Sequence, residues 1–296
     1  MKKQRVGRHI NISEGFLTAP ENAKNSGYDI FQIFLGAPQR ILSQARQQDQ
    51  LIKFGNIIEK MNMFMVVHGS YTINLCHPIN SKKFIASVKS LVQDLNSTEL
   101  IGKNCLGVII HMGKNISENK LTNDEAIQNY ILGLKQALSE TSNNTTIILE
   151  TGASQGSEVG SRITGLAQIY NGLTSKEQSR IYFCIDTCHI WATGYDISSS
   201  SGVKKFFKKF DKMIGINKIL CIHFNDSKNP LDSHVDRHAD LGYGRIGETG
   251  LREVAIYAKK YNIHIIMETP LDAVNKKTNK SVTRMEEFRK TKTWLK

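Results

Sequence analysis

The sequence lacks the features of a membrane or secreted protein. Its 296 residues contain no run of about eighteen apolar residues, the length that a bilayer-spanning helix needs. The amino-terminal Met1-Lys2-Lys3-Gln4-Arg5 is not followed by the apolar segment of a signal peptide. We therefore expect an intracellular protein, and the sequence does not distinguish the cytoplasm from the nucleus.

Cysteine is scarce as well. The chain has five cysteines, with no CxxC pair and no spacing typical of a disulfide framework: Cys76, Cys105, Cys184, Cys188 and Cys221. We expect them to stay reduced. Cys184 and Cys188 could bind a metal, but packing in the core is the favoured role.

Acidic residues are outnumbered by basic ones. The chain has 27 Asp and Glu against 39 Lys and Arg, which leaves a formal net charge of +12 and a pI near 9.4. A polyanionic partner such as nucleic acid would suit this charge. The alternative is a composition that places lysines on solvated faces for reasons unrelated to binding, and charge alone does not decide between the two.

Eight apolar, β-branched runs alternate with helical patterns along the chain. They cover residues 5–12, 29–35, 63–69, 106–111, 146–150, 181–186, 219–223 and 263–268. Eight strands separated by helices favour an α/β fold with a closed parallel TIM (β/α)8 barrel over an open sheet. Because no linker interrupts the pattern, we predict a single domain over residues 1–296 with a basic surface helix at its C-terminus.

Six of these strands end on an imidazole or a carboxylate. The six residues are His68, His111, Glu150, Asp186, His223 and Glu268. His189 follows on the turn after strand six, and Asp236 and His238 lie in the loop after strand seven. A single histidine at a strand end is usually structural, but active sites of TIM barrels lie at the carboxyl rim of the strands. We therefore expect all nine side chains to converge at one rim.

Nine such side chains exceed the needs of one metal ion, since zinc takes about four ligands. With a carboxylate as a bridge they fit two or three divalent ions, and the absence of thiolate from the set favours Zn²⁺ or Mn²⁺. Clustered metals clamp a phosphoryl group during in-line displacement. Together with the positive charge, this set indicates phosphodiester hydrolysis.

The other histidines are predicted not to be ligands. They are His9, His77, His234 and His264. His9 is a candidate for contact with the ligands. His234 is the least certain, because it alternates with Asp236 and His238 and would share a face with them in an extended segment.

Several short blocks of the sequence match those of a known protein family. They lie at residues 68–71, 110–113, 149–151, 184–195, 223–228, 236–238, 241–247 and 268–270. The most specific are Cys-Ile-Asp-Thr-Cys-His at 184–189 and Asp-Arg-His at 236–238. With these blocks the sequence resembles endonuclease IV, the zinc-dependent apurinic/apyrimidinic (AP) endonuclease family of base-excision repair.

The resemblance implies a TIM barrel with three zinc ions. One ion would be held by His68, His111 and Glu150, and the last by His189, Asp236 and His238. Glu150 would bridge to a second ion held also by Asp186, His223 and Glu268. The family cleaves the backbone 5′ to an abasic site, leaving a 3′-hydroxyl and a 5′-deoxyribose phosphate, and trims blocked 3′ ends. Glu150 or Glu268 would orient the nucleophile as the catalytic residue.

The segment after strand seven, residues 225–250, is too long for a simple connection and indicates a functional loop. It supplies the predicted DNA-binding residues Asn225, Lys228, Arg237 and Arg245, of which the last three suit phosphates. Solvated surface charge is an equally good interpretation of Lys228 and Arg245 taken singly.

The resemblance further implies that side chains fill the gap left in the DNA when an abasic nucleotide is extruded. Tyr71 matches a residue of the family that enters this gap. The second such loop reads Pro38-Gln39-Arg40 and departs from the usual pattern, so either Gln39 or Arg40 could enter. The implied partner is double-stranded DNA with abasic sites or blocked 3′ ends, bound by a monomer without a membrane.

Two other functions remain open. A metal-dependent sugar isomerase or epimerase of the xylose-isomerase-like barrels also places Glu, Asp and His on strand ends. It needs one or two metals, so His189, Asp236 and His238 would be surplus. A noncatalytic basic DNA-binding protein is the other, and the full set of ligand types argues against it.

Overall fold

Eight parallel strands form the centre of the molecule. The computed structural model describes residues 4–116, 121–275 and 279–296. The barrel strands are β1 (Val6–His9), β2 (Ile30–Phe34), β3 (Phe64–His68), β4 (Cys105–Ile110), β5 (Ile147–Glu150), β6 (Ile181–Asp186), β7 (Ile219–His223) and β10 (His264–Met267). They close in the order β1, β10, β7, β6, β5, β4, β3, β2. The predicted TIM barrel is confirmed.

Two short antiparallel pairs lie outside the barrel. One joins β8 (Asp226–Ser227) to β9 (His238–Ala239), and the other joins β11 (Val274–Asn275) to β12 (Lys280–Ser281). The first pair folds the long segment after β7 back on itself. It thereby carries His238 towards the rim.

Helices connect and cover the strands. They are α1 (Ala19–Asn25), α2 (Gln48–Lys60), α3 (Lys82–Ile101), α4 (Asn123–Ser139), α5 (Ile163–Asn171), α6 (Ser175–Ser179), α7 (Thr187–Ala192), α8 (Ser200–Met213), α9 (Gly247–Lys260) and α10 (Arg284–Trp294), with a 3₁₀ turn at Ile216–Lys218. Reciprocal bonds between an N-cap threonine and a glutamate three residues on begin α4, α6 and α10. Among the described helices, none has the length and apolarity to cross a bilayer.

The interior of the barrel is filled by one inward-facing side chain from each of seven strands. This buried cluster consists of Ile30, Val66, Ile109, Ile148, Cys184, Cys221 and Ile266. Side chains on a strand alternate between faces, so the residue two positions further on faces inward again, one layer nearer the rim. Those residues are Gln32, His68, His111, Glu150, Asp186, His223 and Glu268. The periodicity that builds the core therefore also builds the ring of polar side chains above it.

The eighth strand, β1, contributes Gly7 and His9 at the corresponding positions. A Cβ atom on Gly7 would lie 1.5 Å from the carbonyl oxygen of Ile30. Only glycine therefore allows β1 to approach β2 this closely. His9 completes the polar ring.

The region after β6 differs from the prediction. His189 was expected on a turn, but it lies in the short helix α7. The helix begins there because the Asp186 carboxylate accepts a hydrogen bond from the His189 backbone N–H at 2.9 Å. A carboxylate of the polar ring thus doubles as the N-cap of the helix that carries His189.

The C-terminal helix α10 is held at the surface by one buried face. Its Phe288 and Trp294 are buried, and Glu287 forms an ion pair with the buried Arg8 of β1 at 2.9 Å. The second carboxylate oxygen of Glu287 accepts the backbone N–H of Leu241 at 2.9 Å. Because it joins β1 to the long segment after β7, α10 stabilises the rim.

Candidate metal centre

The nine predicted side chains come together at the carboxyl rim of the barrel. Their ligand-type atoms form groups within which all atoms lie within 4.8 Å of one another. The groups are His68, His111 and Glu150; Glu150, Asp186, His223 and Glu268; and His189, Asp236 and His238. A further combination places Cys188 with Asp186 and His238. The three main groups are those that the resemblance implied.

Glu150 links the first two groups. Its Oε2 lies 3.6 Å from His68 Nε2 and 3.5 Å from His111 Nε2. Its Oε1 lies 2.9 Å from His223 Nδ1, which is also 3.2 Å from Glu268 Oε2. The position of one carboxylate between two groups is the geometry expected of a bridging ligand.

The third group depends on the long segment after β7. His189 Nε2 lies 3.2 Å from Asp236 Oδ2, and His238 Nε2 lies 3.2 Å from Asp236 Oδ1. His238 Nε2 is also 3.5 Å from Asp186 Oδ2, which belongs to the second group. All three groups therefore form one continuous cluster.

Several buried atoms of this cluster make no hydrogen bond with any described residue. They are His111 Nε2, Glu150 Oε2, His189 Nε2 and His238 Nε2. A buried polar atom without a partner costs free energy, and native proteins almost always satisfy such atoms. These four all point into the groups, and imidazole nitrogen with carboxylate oxygen is a donor set that divalent metals accept. The residues present therefore fit metal ions.

The charges of the cluster compensate one another in the protein alone. Burial opposes a charge on each imidazole, but Glu268 and Glu150 outweigh it and raise the pKa of His223 to about 10. Asp186 and Asp236 likewise raise the pKa of His238 to about 9. Burial also opposes ionisation of Glu268, but His223 lowers the pKa of that carboxyl to about 2. Protons thus occupy His223 and His238 wherever no cation balances the carboxylates.

Backbone carbonyls orient two of the histidines. His189 Nδ1 lies 2.7 Å from the carbonyl oxygen of Thr151, and His68 Nδ1 lies 2.8 Å from that of Gly69. Each carbonyl can only accept, so Nδ1 carries a hydrogen, and Nε2 is the ring nitrogen that faces the cluster and is left to bind a cation. Such contacts are typical of ligating histidines.

Asn225 does not fit its predicted role as a DNA contact. Its side chain is fully buried, donates to Asp186 Oδ2 at 2.8 Å and accepts the backbone N–H of Glu268 at 3.0 Å. A residue enclosed in this way cannot reach DNA from inside the protein. Asn225 instead holds two carboxylate-bearing segments together.

The other predicted DNA contacts lie on the surface. Gln39, Arg40, Arg237 and Arg245 are exposed, and Tyr71 is 55% exposed. Lys228 is exposed as well, but its ammonium group pairs with Asp272 at 2.5 Å. The ring of Tyr71 packs edge-on against those of Phe34, His68 and His111. Tyr71 therefore stands directly over the first group.

A cavity of about 700 Å³ opens beside the cluster. Besides cluster residues, its walls include Tyr71, Ile73, Asn74, His77 and Met112. The histidines that were predicted not to be ligands belong to none of the groups found among the described residues. His77 is buried in the cavity wall, and His234 is exposed next to Asp232 at 3.2 Å.

Comparisons with known proteins place the chain in a family. Residues 20–296 match the model of the family described as xylose isomerase-like TIM barrel. The chain is 69% identical over 292 residues to the putative endonuclease 4 of Acanthamoeba polyphaga mimivirus, covering 99% of this chain and 94% of the relative. The chain belongs to the endonuclease IV family.

Other members of the endonuclease IV family agree with this assignment. The probable endonuclease 4 of Halothermothrix orenii is 33% identical over 267 residues, covering 90% of this chain and 93% of that protein. The crystal structure of endonuclease IV from Thermus thermophilus matches with a TM-score of 0.79 at 27% identity and 98% coverage of both chains. Membership of this family implies the use of metal.

The same barrel occurs outside the endonuclease IV family. The 3-keto-D-glucoside 4-epimerase of E. coli matches with a TM-score of 0.67 at 11% identity, covering 98% of this chain and 100% of that chain. At this identity the likeness concerns the fold alone. The sugar epimerase alternative therefore gains nothing from it.

Sequence reasoning missed three buried residues that support the cluster. Gln32 contacts His223 and Glu268, Thr151 contacts Asp186 and His189, and Asp226 binds the backbone of the following loop. For Gln32 there was a signal, because an amide interrupts the apolar run Ile30-Phe31-Gln32-Ile33-Phe34 at an inward-facing position. Thr151 and Asp226 lie inside the matching blocks but carry no sign of their partners.

Proposed function

We propose that the chain is a DNA-repair AP endonuclease that hydrolyses the phosphodiester bond 5′ to an abasic site. The products are a 3′-hydroxyl and a 5′-deoxyribose phosphate, and the same site trims blocked 3′ ends. The observation that carries this proposal is the convergence of nine imidazole and carboxylate side chains in three linked groups. Family membership and the basic charge of the chain also support it.

The three groups are proposed to hold three Zn²⁺ ions, with Mn²⁺ accepted at one or more of them. His68, His111 and Glu150 would form one site, Glu150 with Asp186, His223 and Glu268 the second, and His189, Asp236 and His238 the third. When bound, divalent cations make water a nucleophile near neutral pH and neutralise charge on a transferring phosphate. One chain supplies every ligand, so a monomer suffices.

Of the two proposed catalytic carboxylates, Glu268 is the one that reaches the substrate. Its side chain is 15% exposed, whereas that of Glu150 is 1% exposed. Glu268 Oε1 is held by Gln32 at 2.6 Å. Glu268 is therefore placed to accept a hydrogen bond from the attacking water, while Glu150 acts as a bridge between two sites.

The surface around the cluster suits a distorted duplex. Tyr71 stands over the first group at the mouth of the cavity, so an extruded sugar can enter beside it while the phenol ring occupies the gap in the helix. Either Gln39 or Arg40 would enter from the neighbouring loop. Arg237 and Arg245 are exposed and have no acidic partner in the part of the chain that the structure describes, so phosphates can bind them.

An incision assay together with metal analysis tests the proposal. We expect about three equivalents of zinc per chain and cleavage of a duplex that contains one abasic analogue, with a 3′-hydroxyl product that a polymerase extends. An intact duplex of the same sequence serves as the control. One or two metals with turnover of a ketose sugar, and no incision, would favour the epimerase alternative instead.

A further inference from the structure

One member of the inward-facing ring is neither an acid nor a histidine. Gln32 occupies on β2 the position that holds a proposed ligand on β3, β5, β6 and β7, and its side chain is fully buried. A buried amide is costly unless it is hydrogen-bonded. The contacts of the Gln32 amide therefore indicate the role of this residue. The inference rests on the proposed metal site.

Gln32 uses its whole amide on the second group and its neighbour. The carbonyl Oε1 lies 2.8 Å from His223 Nε2. The amide Nε2 lies 2.6 Å from Glu268 Oε1 and 3.0 Å from His9 Nδ1. The carbonyl oxygen and the two amide hydrogens of Gln32 thus have one partner each.

The direction of each bond follows from these partners. Glu268 Oε1 accepts when ionised, so the atom facing it must be the NH₂ group, and the atom facing His223 is the carbonyl oxygen. That oxygen cannot donate, so His223 carries a hydrogen on Nε2. The remaining ring nitrogen, Nδ1, is the atom that faces Glu150 at 2.9 Å and Glu268 at 3.2 Å.

We propose that Gln32 is a positioning residue for the second metal site, which directs His223 Nδ1 and Glu268 Oε2 at the same cation. The carbonyl of Gln32 selects the histidine tautomer, and its NH₂ group fixes the carboxylate at Oε1 so that Oε2 is left for the metal. Partners of this kind typically change metal affinity by about 10–100-fold when they are removed.

Replacement of Gln32 by methionine tests this role with zinc alone. Gln32→Met keeps the length of the side chain but removes all three hydrogen bonds. We expect one of about three zinc equivalents to bind about 10–100-fold more weakly in competition with a chelator. Gln178→Met is the matched control, because within the described part of the chain the side-chain amide of Gln178 bonds only the carbonyls of Tyr170 and Leu173, before β6 at the opposite end of the barrel. We expect wild-type zinc affinity from that control.

A second variant separates the two halves of the amide and decides the question if Gln32→Met does not fold. Gln32→Glu keeps an acceptor for His223 but loses both donors and repels Glu268. We expect zinc affinity within about threefold of wild type, and a lower kcat for incision with little change in KM. A folded Gln32→Glu variant that binds zinc about tenfold or more weakly than the wild type would refute the carbonyl's role.

Zinc binding by the wild-type chain distinguishes a failure of the proposed function from a failure of the role of Gln32. A wild-type chain that binds no divalent metal removes the metal site and with it the proposed function. A different result overturns the role of Gln32 alone. In that result the wild-type chain binds about three zinc ions, and a folded Gln32→Met variant has the same zinc affinity and only a lower melting temperature in its metal-free form.

Discussion

Asp226 is expected to control the loop that carries Arg245. Its carboxylate is fully buried and accepts backbone N–H groups from Gly242 and Gly244 at 3.1 Å and from Ile246 at 2.9 Å. The loop fits closely around it, since a Cβ on Gly244 would lie 2.5 Å from Asp226 Oδ1. The hydrogen bonds of this one side chain thus hold a loop that contains no helix or strand.

Asp226→Asn keeps the shape of this side chain and removes one acceptor. The new NH₂ group faces the N–H groups of Gly242 and Gly244, and rotating the amide only exchanges them for those of Ser227 and Ile246. Two donors lose their partner in either case, partly buried ones in the first orientation and buried ones in the second. At about 1–3 kcal/mol for each unsatisfied group, the variant loses about 2–6 kcal/mol of stability.

Urea unfolding measures this loss as the shift in midpoint multiplied by the slope. Hydrogen exchange of the Gly242, Gly244 and Ile246 amides shows whether the loop opens locally, and affinity for abasic duplex should fall because Arg245 moves with it. Asp211→Asn is the control, because this exposed residue binds one N–H group, that of Ile216 at 2.8 Å. A loss below about 1 kcal/mol in Asp226→Asn, or one equal to the control, would refute the reasoning.

Three further outcomes are expected. His111→Ala and Glu268→Gln should abolish incision of abasic duplex and leave the fold intact by circular dichroism, whereas His234→Ala should incise normally; wild-type activity in the first two would remove their assignment. Affinity for duplex should fall as salt concentration rises. If at least three cationic side chains bind phosphates, the logarithm of the binding constant should fall against the logarithm of salt concentration with a slope of about −3 or steeper. An affinity that does not change with salt would contradict a role for the basic surface in binding DNA. Chelators should abolish incision, and reloading with zinc at pH 7 should release about three protons. His223 and His238, with pKa values of about 10 and 9, are protonated in the metal-free protein, and so is His189, whose pKa is raised well above its usual value by Asp186 and Asp236 in spite of burial. Zinc affinity should therefore rise as pH rises from about 6 to about 9, and calorimetry in buffers of different ionisation enthalpy would reveal an absence of proton release.

The sequence predicted the barrel well because parallel strands buried on both faces are almost continuously apolar. Four of the six polar side chains expected at strand ends lie at inward positions two residues after an interior side chain of the same strand, such as Glu150 after Ile148 and Asp186 after Cys184. His111 and Glu268 keep the same spacing just beyond β4 and β10, whose last residues are Ile110 and Met267. Periodicity and the rim rule sufficed to bring these residues together.

Contacts between elements were beyond the same reasoning. The turn expected at His189 became a helix because Asp186 caps it, and Asn225, expected on DNA, lies buried between Asp186 and Glu268. Both depend on where a polar side chain points after the chain leaves its strand. Periodicity carries no information on this, because the competing hydrogen-bond partners are distant in sequence.

The charge balance of the cluster explains how a ring of buried ionisable groups is compatible with folding. Four carboxylates face the groups, and the three histidines with raised pKa values offset all but about one of their negative charges. Three divalent cations, bound as proposed, would displace those protons and leave about two net positive charges. The protons thus keep the metal-free barrel close to neutral, which limits the cost of burying charge. The cations make the same cluster attractive to a phosphodiester, so the groups that the fold must neutralise are those that would bind the substrate.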